Sequence, residues 1–72
     1  MSYERFSRKV ASNIKKARLK SGFTQEEMER FGFNIRHYQD IESGRVRFTL
    51  ETLYRLSRAF KLKPEQLLTI RK

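Results

Sequence analysis

The chain contains no cysteine. That absence excludes disulfides and thiolate metal sites, so nothing covalent braces the fold, and it fits a cytosolic setting. Histidine is almost as scarce: His37 stands alone. With neither a second imidazole nor a thiol to join it, metal binding and His-centred catalysis lose their basis, and a phosphate contact is the better use of this side chain. No apolar run approaches the length of a membrane span or a signal-peptide core, so a cytoplasmic protein with no membrane partner is expected. One proline and three glycines interrupt the 72 residues, too few for long loops. Acidic residues are also in the minority, eight against seventeen Lys and Arg, for a net charge of +9. Such a balance favours a polyanionic partner, although charge alone does not separate DNA from RNA or an acidic membrane.

What is present is arranged unevenly. Residues 1–22 hold seven Lys or Arg against one Glu, residues 44–72 hold eight against two acids, and residues 23–43 reverse the sign with two against five. The basic flanks suit attraction to a phosphate backbone, which leaves the middle for discrimination, since phosphate contacts position and base contacts specify.

A chain of this length supports one small domain, 1–72, with a marginal core, and short-looped helices suit it best. Residues 1–5 read as a flexible tail. A helix follows from about Ser7 to Ser21, its Phe6, Val10, Ile14 and Ala17 at three- and four-residue steps marking one buried face. Lys9, Lys15, Lys16 and Lys20 fall mostly off that face and read as a solvated surface. Thr49 caps a helix from Leu50 to about Phe60, and Pro64 suits the first turn of a last helix, whose apolar residues are Leu67, Leu68 and Ile70.

Between these lies Thr24 to Gly44, the stretch that organises the chain. Thr24 and Glu27 have the spacing of a capping box, so a short helix should begin near Gln25, with Met28 and Phe31 inward and Gly32 ending it. Asn34 caps a second helix, with Tyr38 and Ile41 on its inner side and Gly44 closing it. Two short helices joined by a tight turn form a helix-turn-helix, from helices 2 and 3 of an all-α, five-helix domain.

The runs Ile14-Lys-Lys-Ala-Arg18, Gly22-Phe-Thr-Gln-Glu-Glu-Met28, Phe31-Gly-Phe33, Ile41-Glu-Ser-Gly44 and Thr49-Leu-Glu-Thr-Leu53 together resemble the Cro/phage-repressor (XRE-type) helix-turn-helix family, across residues 8–70. The resemblance implies a compact repressor-like domain that binds double-stranded DNA, usually as a homodimer on a two-fold symmetric operator. It implies a structural ion pair between Arg18 and Glu42. Gln25 matches a glutamine that braces against a phosphate. With the recognition helix, about Asn34 to Ser43, in the major groove, Ile35, Arg36, Gln39 and Asp40 are the positions that face base edges. Arg36 suits guanine, Gln39 adenine, Asp40 cytosine and Ile35 a thymine methyl. Asn34, His37, Ser43, Arg45 and Arg47 are the expected phosphate contacts, and Leu67, Leu68 and Ile70 the expected dimer surface, unless those three simply finish the core.

The sequence departs from the family pattern in several places, among them an acid and an isoleucine, Asp40 and Ile35, at reading positions. It is one residue short between Met28 and Phe31, lacks the usual small residue near Glu29, has Tyr38 in an aliphatic position, and has Phe48 where proline is common. No nucleophile, base and orienting group come together at any spacing, so the chain does not read as an enzyme, and no cofactor or small-molecule ligand is expected. A small bacterial or phage regulator of the repressor or restriction-modification controller kind is the leading reading. Its rivals are a helix-turn-helix protein-interaction module, such as an antitoxin, and a nonspecific polyanion or membrane-surface binder.

Overall fold

Ile14, Met28, Tyr38 and Leu56 are entirely shielded from solvent, and the helices of the computed structural model, which describes residues 1–45 and 47–70, are arranged around them. The element order is α1 (Tyr3–Ser21), a 3-10 helix (Glu26–Phe31), α2 (Ile35–Ser43), α3 (Leu50–Ala59) and α4 (Pro64–Leu68). All five elements are helical. Helix α1 packs against α2 and α4, α3 against α4, and the 3-10 helix against α2. No described helix is long and apolar enough to cross a membrane.

Helix α1 begins earlier than its apolar stripe suggests. Residues 1–5 are not a tail: the Ser2 hydroxyl accepts from the Arg5 amide at 3.2 Å, and the helix runs from Tyr3. A serine N-cap and Glu4 in the first turn both satisfy the positive, donor-rich helix end. The added turns reach the far end of α2. There the Ser7 hydroxyl donates to the Gly44 carbonyl at 3.2 Å, and the Arg47 guanidinium lies 5.3 Å from the centre of the Tyr3 ring.

The short second helix is wound as a 3-10 helix. Its start is a true capping box: the Thr24 amide donates to the Glu27 carboxylate at 2.9 Å and the Glu27 amide to the Thr24 hydroxyl at 3.1 Å. The backbone bond from Thr24 holds the Glu27 carboxyl below its ordinary range. Only six residues then separate Gln25 from Gly32. In a 3-10 helix residues three apart eclipse one another, so the tighter winding puts Met28 and Phe31 on one side despite the missing residue.

Gly32 turns the chain at φ 89°. Arg55, from α3, fastens that turn by donating to the carbonyls of Phe31 at 3.2 Å and Gly32 at 2.9 Å while lying over the Phe33 ring. A Cβ at Gly32 would stand 2.3 Å from the Arg55 Nη2 atom, the far end of a side chain that would have to shift, but it is the backbone angle that demands glycine here. Gly44 closes α2 in the same left-handed region, at φ 77°, with its amide donating to Ile41 and the next amide, of Arg45, to Asp40.

At the other end of the chain, the expected dimer surface is corrected in part. Leu67 is 1% exposed and belongs to the core, and Ile70 is half-buried against it. Only Leu68 faces outward, at 38% exposed. The reason is geometric: α4 has five residues, so its one inward position is taken by Leu67, while the Asn13 side chain of α1 holds its end by donating to the carbonyls of Leu67 and Thr69 at 3.0 and 2.8 Å. Outside that core, Leu68 lines an apolar groove of about 310 Å³ together with Tyr3, Phe6, Phe48 and Leu50.

Candidate nucleic-acid interface

The helix that would carry sequence readout, α2, is built by its cap and its two buried residues. The Asn34 side-chain oxygen accepts from the amides of Arg36 at 2.9 Å and His37 at 3.2 Å, satisfying donors that a helix start leaves open. Tyr38 and Ile41 anchor the inner side, Tyr38 meeting the Phe33 ring edge to face at 5.7 Å. With 100° between successive residues, Arg36, Gln39, Asp40 and Ser43 are then forced to the opposite side. Arg36, Gln39 and Ser43 are exposed, as is His37 on the flank; Asp40 is partly exposed, and Ile35 is partly withdrawn beside the core.

Behind this row sits a polar cluster that ties three elements together. Arg18 of α1 places Nε 2.6 Å from Glu42 Oε2, adds a bond from Nη2 to Oε1 at 3.2 Å, and spends Nη1 on the Phe23 carbonyl at 2.7 Å. The Tyr38 hydroxyl also donates to Glu42 Oε2, and Gln25 Nε2 donates to Oε1 at 3.1 Å. The Arg18 and Glu42 side chains are only 8% and 4% exposed. A bidentate pair so shielded is strong only when its polar atoms are otherwise bonded, and here each Glu42 oxygen accepts twice and every Arg18 guanidinium nitrogen donates. Every buried side-chain polar atom among the described residues has a partner.

The titration behaviour follows from these contacts. Burial pushes the Glu42 carboxyl up, but the bonds from Arg18, Tyr38 and Gln25 outweigh it and hold the group below its ordinary value. For Arg18 the Glu42 bond dominates over burial and raises an already high value. Burial, followed by the adjacent carboxylate, pushes the Tyr38 phenol above its usual range, so it stays a neutral donor.

The cluster extends outward through Gln25. Its Oε1 accepts from Gln39 Nε2 at 3.3 Å, so an unbroken chain of bonds runs from Arg18 through Glu42 and Gln25 to an outward-facing residue of α2. The carbonyl oxygen and one amide hydrogen of Gln25 are therefore engaged within the protein; what remains for a phosphate is the second hydrogen. Asn34 is similar, with its oxygen committed to the cap and its amide nitrogen left over. The Ser43 hydroxyl donates to the Asp40 carbonyl at 2.7 Å, which leaves its oxygen lone pairs but no hydrogen for an anion. Arg45 and Arg47 are exposed beyond Gly44, around a recess of about 450 Å³ that α1 completes with Ser7 and Arg8, and with Glu4 as its one acid.

Sequence reasoning missed Arg55, Arg8 and the Gln25–Gln39 contact, because each joins residues 14 or more positions apart. The Tyr38–Glu42 bond did carry a local signal: a phenol four residues before a carboxylate lies one helical turn away from it. Among the described residues no group of three or more His, Cys, Asp or Glu gathers in a way that could hold a metal ion.

Comparison with known proteins adds two findings. The family profile described as helix-turn-helix matches residues 14–67, which spans the cluster, both helices of the turn and α3. An uncharacterised HTH-type transcriptional regulator, y4dJ of Sinorhizobium fredii, is 39% identical over 61 residues, covering 83% of this chain and 79% of its own. No solved structure matches.

Proposed function

Since the chain belongs to the XRE-type helix-turn-helix family of DNA-binding transcriptional regulators, we propose that it reads a specific duplex site by placing α2 in the major groove, as a homodimer on a two-fold symmetric operator. The outward row of α2 carries this reading. Arg36, Gln39 and Asp40 offer respectively donors, a donor and acceptor pair, and acceptors, a set able to tell base pairs apart in the major groove. Ile35, partly withdrawn, is left with a methyl contact at the edge. Phosphate contacts fall to Arg45 and Arg47 at one end of the helix, to Asn34 and His37 at the other, and to the remaining donor of Gln25; Ser43 serves by hydroxyl rotation. Enzyme chemistry has no part in this reading.

The second copy docks on the side of Leu68, where the groove with Tyr3, Phe6 and Leu50 leaves apolar surface in water. Such a surface also keeps the interaction-module reading alive, since a groove of that kind accepts an apolar segment of another protein as readily as a copy of this one.

Selection from a random duplex library at roughly physiological salt tests the function, because nonspecific phosphate binding is suppressed there. Enrichment of an inverted repeat is the expected result. Recovery of no sequence overturns the reading and leaves the groove, with a protein partner, as the functional surface.

A further inference from the structure

We propose that the first turns of α1 add a phosphate seat to the DNA-binding surface, in which Arg8 joins Arg45 and Arg47 on the duplex backbone just beyond the end of the reading helix; this rests on α2 lying in the major groove. The residues of α1 that build the seat come before residue 14, where the match to the helix-turn-helix profile begins. Their place is set by backbone contact. A Cβ on Gly44 would stand 3.3 Å from Arg8 Cα and 3.2 Å from its Cγ, so α1 and the end of α2 meet with no side chain between them, and the Ser7 hydroxyl bonds across the join. Arg8 is thereby carried to the same recess as Arg45 and Arg47, beside Ser43, the last residue of α2.

The charge of that recess is available to a ligand. Arg8, Arg45 and Arg47 are exposed, and among the described residues none of them makes an ion pair; Glu4, the one acid at the rim, is bonded to none of them. Arg47 lies over the Tyr3 ring, a contact that steadies the guanidinium and needs none of its N–H donors. The C-terminal end of a helix is ordinarily a poor place for an anion, because its open carbonyls are negative. Here the carbonyls of Asp40, Ile41 and Gly44 are taken, by the amides of Arg45 and Gly44 and by the Ser7 hydroxyl. Three cations beside a helix end so closed off favour phosphate. Because the recess continues the outward row of α2 past Ser43, the phosphate it meets belongs to a strand that borders the groove.

The test uses the full chain with Arg8→Gln, which keeps the methylenes that pack on Gly44 and removes only the charge, so its melting curve should stay in place. Its slope of log affinity against log salt should be shallower than that of the wild type by about 0.9, the value for one phosphate of B-DNA, and the ratio of wild-type to variant affinity should shrink about three- to fourfold between about 50 and 200 mM salt. Lys16→Gln removes the same charge from the α4 side of the helix and should leave the slope unchanged. Equal slope changes in the two variants reduce the effect to net charge and overturn the seat. A second measurement locates the contact: when phosphates are replaced one at a time by uncharged methylphosphonates, a single position per half-site should weaken the wild type and leave Arg8→Gln unaffected. If every position weakens both proteins to the same degree, Arg8 touches no phosphate and the proposal fails. Since a phosphate contact carries no sequence information, the slopes are measured on an arbitrary duplex as well as on the selected site. A chain that selects no site but loses slope with Arg8→Gln fails in base reading and keeps the seat, whereas a chain that selects a site with a slope untouched by Arg8→Gln keeps the reading and loses the seat.

Discussion

Two carboxylates stand two residues apart on α2, and they live under opposite rules. Glu42 is enclosed, met by Arg18, Tyr38 and Gln25, and held ionised by them. Asp40 is turned outward, and among the described residues no hydrogen-bond donor or cation is bonded to its side chain. The inner face of the helix is saturated, and the outer face keeps its valences. That division is what a reading helix requires: its position must be over-determined by the protein so that its exposed groups can be determined by the DNA. Helix α4 repeats the contrast with apolar groups, Leu67 enclosed and Leu68 facing outward.

The largest effect expected from this contrast belongs to Glu42→Ala. It orphans a buried guanidinium, a phenol and an amide at once, and should lower unfolding free energy by about 3 to 5 kcal/mol, measured by urea denaturation. The pH dependence sharpens this. Because the folded carboxyl titrates below its ordinary value of 4.5, its contribution is present above that pH and is lost as pH falls through the lower folded value. The stability gap between the wild-type chain and Glu42→Gln should therefore narrow on acidification. A gap that does not change between neutral pH and pH about 3 would break the assignment of Glu42 as an ionised anchor.

Next comes the pair on α4. Leu67→Ala should cost about 2 to 5 kcal/mol as a core truncation, whereas Leu68→Ala should change monomer stability by no more than about 0.5 kcal/mol and weaken self-association in sedimentation instead. Equal melting losses for both would erase the distinction. Tyr38→Phe, which removes one donor and keeps the ring, should cost about 1.5 to 3 kcal/mol as a lost bond to a charged group. An unaltered thermal midpoint would show that Arg18 and Gln25 alone suffice for Glu42.

The smallest effects on stability are expected outside, where the effects on binding are greatest. Arg36→Ala should leave the melting curve in place and relax sequence preference at one position. Arg47→Ala should weaken all duplexes alike and reduce the slope of log affinity against log salt by about one unit. Identical losses for both variants on every sequence would mean that α2 does not read bases.

Much of this was legible in the chain itself. The Thr24–Glu27 box, the Asn34 and Thr49 caps and the glycine stops at 32 and 44 are local chemistry, read within four residues, and the structure has each of them. The apolar steps of α1 likewise lead to residues that the core contains, Val10, Ile14 and Ala17. Reading failed where the decisive partner was distant or where a count of turns was needed. Ser2 was overlooked as a cap because the apolar stripe starts later, and the 3-10 winding of Glu26–Phe31 could not be told from an α-helix by two apolar residues three apart.

The sequence by itself determined the helical class, the place of the turn and the outward row of α2, because periodicity and capping act over a single turn of chain. Tertiary structure alone decided that α1 reaches the end of α2, that Arg55 locks the turn at Gly32, that Leu67 is core, and that Gln25 links Glu42 to Gln39. Those outcomes depend on which side chains arrive at the same point in space, and hydrogen bonds, being short and directional, cannot be assigned until the helices are packed.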